Sequence, residues 1–257
     1  MAIGPKLEKF VRRRIGILYN PLLSIFEKYL DFDSIKLRIT LRRALQNLSP
    51  RIARPVFVQV GSNDGFSNDP FCEWVLASDC RGFFFEPVPS CYLKLVNNYE
   101  QRLQPDQIGR LKFINAAVSD KAIRLHFYSV SERAELELGS RVPHWWSQLG
   151  SFNREHISRH LDGILDPFIV ETPVVTTTLS DFAKNEQLLS LDVLHIDAEG
   201  HDFEVLQSID FDEYKPSIIL IEHKHLTFEK KTAVLDRLQS NGYALRIFRS
   251  DVLGVLR

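Results

Sequence analysis

The sequence of 257 residues is poor in sulfur, with one methionine and three cysteines. Cys72, Cys80 and Cys91 are odd in number and lack metal-ligand spacing, which argues against a disulfide framework or a zinc knuckle. Reduced thiols in a cytoplasmic protein are the expectation. No segment is long and apolar enough to span a bilayer. The best stretch, Ile15–Phe26, is interrupted by Asn20-Pro21, and no small-residue cleavage site follows it. No internal repeat stands out. G-x-G-x-x-G is absent, as is a glycine loop ending in Lys-Ser/Thr, so the usual phosphate cradles are excluded.

Net charge is also small, a formal −1, but it is unevenly distributed. Residues 1–54 carry twelve Lys/Arg against four Asp/Glu, whereas residues 55–257 carry twenty against twenty-nine. Two parts are therefore expected: a basic helical extension over 1–54 and one α/β domain over 55–257. Leu37, Leu41, Leu45 and Leu48 fall near helical spacing, so the extension is read as packing through an apolar face. Its alternative is a peripheral membrane or oligomer contact. Nucleic acid is disfavoured, since aromatics are not interleaved with the basic residues.

The body alternates strands and helices. Apolar runs open the stretch Pro55–Gly65, where a glycine turn follows, and occupy Arg81–Pro87, Leu111–Asp120, Val193–Asp197 and Ser217–His223; each reads as a buried strand. Helices are expected near 70–77, 90–98, 179–189, 203–209 and 232–240, and a terminal hairpin over 243–248 and 252–256. Continuous apolar strands separated by helices imply a mostly parallel sheet covered on both faces. The 131–167 stretch is irregular and histidine-rich, so it reads as a lid or acceptor-binding insertion. Trp145 and Trp146 within it suit lid packing, or less well a sugar-stacking platform. Ser151, Asn153, His156 and His160 are residues it could bring over an acceptor.

Ligands of such sheets bind beyond the carboxyl ends of the strands. Glu86, Asp197 and Glu222 each close an apolar run, so all three should line one rim beside the turn Gly61-Ser62-Asn63-Asp64-Gly65. Asp64 in that turn would repel a pyrophosphate but suits a cationic amino group. Glu86 lies where an acid accepts hydrogen bonds from ribose hydroxyls. An adenosine with an amino-acid headgroup and no phosphate describes S-adenosylmethionine.

The stretches "FVQVGSNDG", "FFFEP", "INAAVSD", "TTTLSDF" and "VLHIDAEGHDFEVLQSI" occur in that order. Together they resemble the FkbM family of S-adenosylmethionine-dependent methyltransferases. The resemblance implies a class I Rossmann-like methyltransferase fold with a mostly parallel seven-stranded sheet. It also implies O-methylation of a hydroxyl on a sugar, glycolipid or secondary metabolite. By motif, Gly61, Ser62, Asn63, Asp64 and Gly65 would hold the methionine part, with Asp197 beside them. Glu86 and Pro87 would hold the ribose, and Asn115, Ala116 and Ala117 would line the adenine. The family usually has Lys where this chain has His195, which is read as a buried core histidine.

An alcohol acceptor must lose a proton during attack, so a base is expected within reach. His201 is the first choice, because its ordinary pKa is near neutrality. Glu199 would orient it or bind the hydroxyl, with Glu222 and His223 as alternatives from the next strand. Each residue has a simpler reading: Asp197 as a helix cap, Glu199 as a first-turn acid, His201 as a structural donor. A divalent cation held by Asp197, Glu222 and a nearby His is placed below a metal-free mechanism. The competing functions are a nicotinamide-dependent oxidoreductase and a non-catalytic subunit that keeps the fold.

Overall fold

The computed structural model describes residues 32–143, 146 and 149–257. Most of the basic extension, Trp145 and His144 lie outside them. The chain divides into two units between Thr40 and Leu41, inside the first described helix, α1 (Phe32–Leu48). The four leucines expected to form its apolar face are buried. The second unit, Leu41–Arg257, holds every element that follows.

A seven-stranded sheet forms its centre. The first strand, β1 (Val56–Val60), is followed by helix α2 (Cys72–Ala77), β2 (Arg81–Phe85), α3 (Pro89–Glu100), α4 (Pro105–Ile108) and β3 (Leu111–Ile114). After an intervening region come α7 (Leu179–Asn185), β8 (Val193–Ile196), α8 (Asp202–Gln207), β9 (Ile218–Glu222), α9 (Phe228–Ser240), β10 (Tyr243–Ile247) and β11 (Asp251–Leu256). The spatial order is β10-β11-β9-β8-β1-β2-β3. β1, β2, β3, β8 and β9 run parallel, and β11 lies antiparallel to both of its neighbours. The expected hairpin is therefore present, and it closes the sheet with β11 inside β10. The fold is Rossmann-like α/β, as the continuous apolar runs required: all four residues of β8 and all five of β9 are buried.

Two features depart from the expected elements. The 111–120 run is two strands, β3 and β4 (Ala117–Val118), because Asn115 turns the chain and its amide donates to the Glu86 and Pro87 carbonyls. β4 leaves the main sheet and joins a second, four-stranded one, in the order β4-β7-β5-β6. That sheet contains β5 (Arg124–Val130), β6 (Gly150–Ser151) and β7 (Ile169–Thr177). The long antiparallel pairing of β5 with β7 brackets the 131–167 insertion.

The insertion is more regular than its sequence suggests. Among its described residues it carries α5 (Arg133–Leu138), α6 (Arg154–Ser158) and short turns of tighter helix at Gly139–Arg141, His160–Gly163 and Asp166–Phe168. It has its own apolar core, built from Val130, Ala134, Trp146, Leu149, Ile157, Leu165 and Phe168. Trp146 is buried in that core and is not a stacking platform. Asn153 caps α6 by accepting from the Glu155 N–H.

Candidate active site

Strand register brings the site together. Val60 pairs with Phe85 on one side and Ile196 on the other, and Ile196 pairs with Ile221. The next residues, Gly61, Glu86, Asp197 and Glu222, therefore share one row at the carboxyl edge. Strand order reverses across β1, so this row sits at the topological switch point, where α/β sheets place ligands.

A cleft opens there. It is lined by Gly61, Asn63, Glu86, Pro87 and Val88 on one side, and by Ala116, Ala117 and Val118 from the β3–β4 turn. Asp197, Ala198 and Glu199 follow from β8, and Phe127, Gly150 and Phe152 from the second sheet. Gly61 and Gly65 both adopt left-handed φ, +77° and +75°. Gly61 has no room for a side chain, and Asn63, at φ +49°, continues the turn.

Glu86 is buried in the wall of the cleft. Its Oε2 accepts from the Asn63 N–H at 2.7 Å, and its Oε1 from the Val88 N–H at 2.8 Å. Burial pushes its carboxyl up to about 7, although these two hydrogen bonds pull the other way. Two lone pairs remain on the carboxylate for hydroxyl donors.

Asp64 behaves differently from its expected role. Its carboxylate accepts from the Phe66 and Ser67 N–H groups at 2.9 and 2.8 Å and from the Ser67 hydroxyl. It shapes its own loop and does not line the cleft. Ser62 is buried, with its hydroxyl turned to the Gln59 carbonyl. Gly65 faces Leu95 and Tyr99 of α3. Asn115 is exposed and fixes the β2 exit, whereas Ala116 and Ala117 form the wall.

The acids after β8 and β9 are crowded. Asp197 Oδ1 is buried and has no hydrogen-bond partner. Burial, together with Glu199 and Asp202, raises its carboxyl well above the usual range. Glu222 is buried beside Lys224, whose Nζ lies 2.6 Å away, yet burial and neighbouring acids push its carboxyl up to about 10. Asp202 accepts from the Ala198 and Gly200 N–H groups and so braces the loop after β8. Burial works against ionisation of Glu199, but His156 and His225 outweigh it and hold that carboxyl below the usual carboxylate range.

The expected histidines are placed less simply. His201 Nε2 is 2.9 Å from the Ser119 hydroxyl, and its ring packs on Phe152 with centroids 4.3 Å apart. It supports the cleft through Phe152 and does not line it. His223 points away, with Nε2 on the Phe248 carbonyl at 3.1 Å. His195 is a core residue: Nδ1 is 3.0 Å from Gln59 Nε2, and burial lowers its pKa to about 3. The residues that sequence reasoning missed are His225 and Lys224, which follow β9 in "EHKH". A second His three residues beyond the rim acid Glu222 was the available signal.

With this geometry in place, comparison with known proteins decides the family. A model of the methyltransferase FkbM domain matches residues 59–245. The chain belongs to the FkbM methyltransferase family. No curated protein matches this FkbM member. Among solved structures, the FkbM methyltransferase of Methylobacillus flagellatus KT is similar at 15% identity and TM-score 0.49, over 79% of this chain and 44% of that one. The chain thus spans less than half the length of that FkbM relative. A precorrin-6y C5,15-methyltransferase from Geobacter metallireducens GS-15 is similar at 12% identity and TM-score 0.40, over 86% and 88% of the two chains. A SAM-dependent methyltransferase from Geobacter sulfurreducens, in complex with S-adenosyl-L-homocysteine, is similar at 13% identity and TM-score 0.39, over 82% and 64%. Among the described residues, no helix is long and apolar enough to cross a membrane.

Proposed function

We propose that this FkbM protein is an S-adenosylmethionine-dependent O-methyltransferase that acts on a hydroxyl of a polar, uncharged acceptor such as a sugar, glycolipid or secondary metabolite. The observation that carries the reading is Glu86. A buried carboxylate stands in the cleft wall beside a glycine turn that lacks every phosphate signature. That combination fits a nucleoside whose ribose hydroxyls donate to an acid and whose other end is an amino acid.

The residues present fit this cofactor. Gly61 lets the turn close directly against the Asp197 carbonyl, where a Cβ has no room. Glu86 keeps acceptor capacity for two hydroxyls, and Pro87, Val88, Ala116, Ala117 and Val118 give an apolar slot for a base. S-adenosylmethionine supplies an electrophilic methyl on a sulfonium when bound. The chain's own task is then to align the acceptor and take up its proton. Phe127, Phe152 and Glu199 also line the cleft, and the acceptor is proposed to lie on their side. Asp197 has the unpartnered buried oxygen there, so it replaces His201 as the proposed proton acceptor. His201 keeps Phe152 in place. The contact made by the basic extension falls mostly outside the described residues, and an oligomer or membrane-surface contact stays a proposal for it.

Calorimetric titration with S-adenosylhomocysteine tests the reading. Wild-type protein should bind, and Glu86→Ala should lose a few kcal/mol at most, about the worth of two charge-assisted hydrogen bonds. Equal affinity in both would move the ribose elsewhere and overturn it.

A further inference from the structure

Three side chains from three separate segments meet beside the cleft, at Glu199. His156 comes from α6 of the insertion, Glu199 from the loop after β8, and His225 from the loop after β9. The Nε2 atoms of both imidazoles lie 3.2 Å from one oxygen, Glu199 Oε2. The three potential ligand atoms fall within 4.8 Å of one another. The rings of His156 and His225 stand edge-on, with centroids 4.4 Å apart. His156 Nε2 is buried and makes no well-directed hydrogen bond.

That spacing has a chemical meaning. Nitrogen and oxygen donors bound to one tetrahedral zinc ion stand about 3.3 Å apart, the edge implied by bonds of about 2.0–2.1 Å. Both His–Glu separations match this edge. Two imidazoles and one carboxylate form a donor set for a borderline ion, whereas Mg²⁺ and Ca²⁺ prefer all-oxygen shells. Three protein ligands leave room for a fourth, and His160 is the next imidazole, its ring centroid 5.1 Å from that of His156.

We propose that His156, Glu199 and His225 form a zinc-binding site that pins α6 of the insertion to the rim of the seven-stranded sheet. The same loop is already tied to the insertion by the Ser151 hydroxyl, which donates to the Glu199 carbonyl at 3.0 Å. The ion adds a second, stronger tie and sets how the insertion covers the cleft beside Glu199. The neighbouring set Asp197, Asp202 and Glu222 is a different case. There Asp202 is used by two backbone N–H groups, and the Lys224 ammonium already supplies the cation beside Glu222. The zinc site requires no bound cofactor.

The test uses the whole chain after dialysis against chelator. Zn²⁺ is titrated by calorimetry, and Co²⁺ is added separately to read its visible absorption. One equivalent should bind, Zn²⁺ should raise the melting temperature, and proteolysis within residues 131–167 should slow. His156→Ala and His225→Ala should each weaken Zn²⁺ by more than the roughly 10–100-fold typical of losing an outer partner. If His225→Ala does not fold, His156→Ala, on the insertion, still decides the matter. Absence of stoichiometric binding by the wild type overturns the proposal. So does wild-type affinity in His156→Ala, and so does loss in Glu222→Gln with retention in the histidine variants. S-adenosylhomocysteine titrated into the same metal-free samples separates failure of the zinc site from failure of the cofactor reading.

Discussion

Gly61 and Asp197 meet backbone to backbone: a Cβ built on Gly61 would lie 1.7 Å from the Asp197 carbonyl oxygen. The glycine turn and the end of β8 are thus locked at a distance that only glycine permits. Gly61→Ala must move one of two central strands or leave its left-handed φ. The expected destabilisation is about 3 kcal/mol or more, with loss of S-adenosylhomocysteine binding. Gly139→Ala is the control. Nothing lies within 4 Å of its Cβ position, so only backbone strain at φ +56°, ψ −130° should register in thermal melts, about 1–3 kcal/mol, with S-adenosylhomocysteine binding kept.

Glu86 predicts a pH dependence. Burial raises its folded pKa from 4.5 to about 7, so the folded state holds a proton that the unfolded chain releases. Its contribution to stability is complete below the unfolded pKa and is lost as pH rises to about 7, on the order of 3 kcal/mol in total. Denaturant titrations should show this loss in the wild type and not in Glu86→Gln. Ribose hydroxyls need the ionised acceptor, so S-adenosylhomocysteine should bind more tightly at about pH 8 than at about pH 6. Glu86→Gln should bind weakly at both.

His195 predicts the opposite slope. Burial lowers its pKa from 6.5 to about 3, so the unfolded chain takes up a proton that the folded state refuses. Stability is complete above the unfolded pKa and is lost as pH falls toward the folded one, on the order of 5 kcal/mol by then. His195→Gln can still meet Gln59 and should remove that acid-side loss. Melting temperatures measured across the acidic range check it.

Asp197→Asn separates a proton acceptor from a cofactor ligand. The amide keeps the shape and cannot take the proton, so turnover should fall about 10²–10⁴-fold. S-adenosylhomocysteine affinity should change little. A large loss of affinity with modest loss of turnover would instead place Asp197 on the cofactor. His201→Asn should cost less turnover, since His201 acts through Phe152.

The insertion core is the last point of test. Ile157 is fully buried among Trp146, Leu165 and Phe168. Ile157→Ala should cost about 2–5 kcal/mol locally and expose residues 131–167 to protease.

The rim was legible because it is written locally. A run of apolar residues ending in an acid marks where a parallel strand leaves the sheet, and Glu86, Asp197 and Glu222 all follow that rule. Asp64 answers to its own loop: with Ser67 three residues on it forms an Asx-type turn, and local hydrogen bonds occupy the acid. His201 answers instead to a distant residue. Its partner, Ser119, is 82 residues away, and only β4's departure into the second sheet brings the two together. The grouping of His156 with Glu199 and His225 was equally hidden, since the β5–β7 pairing that folds the insertion back has no short-range signature.

The position of β11 between β9 and β10 has a consequence for how the chain is assembled. Five buried residues of β9, Ile218–Glu222, have one edge that only β11 can cover. Until the hairpin docks, that edge is an apolar template able to pair with another chain. Docking of the hairpin removes that edge, so refolding yield should track hairpin formation. Asp251 stands opposite Glu222 in the ladder, so the strand that covers this edge also lies beside the last acid of the rim.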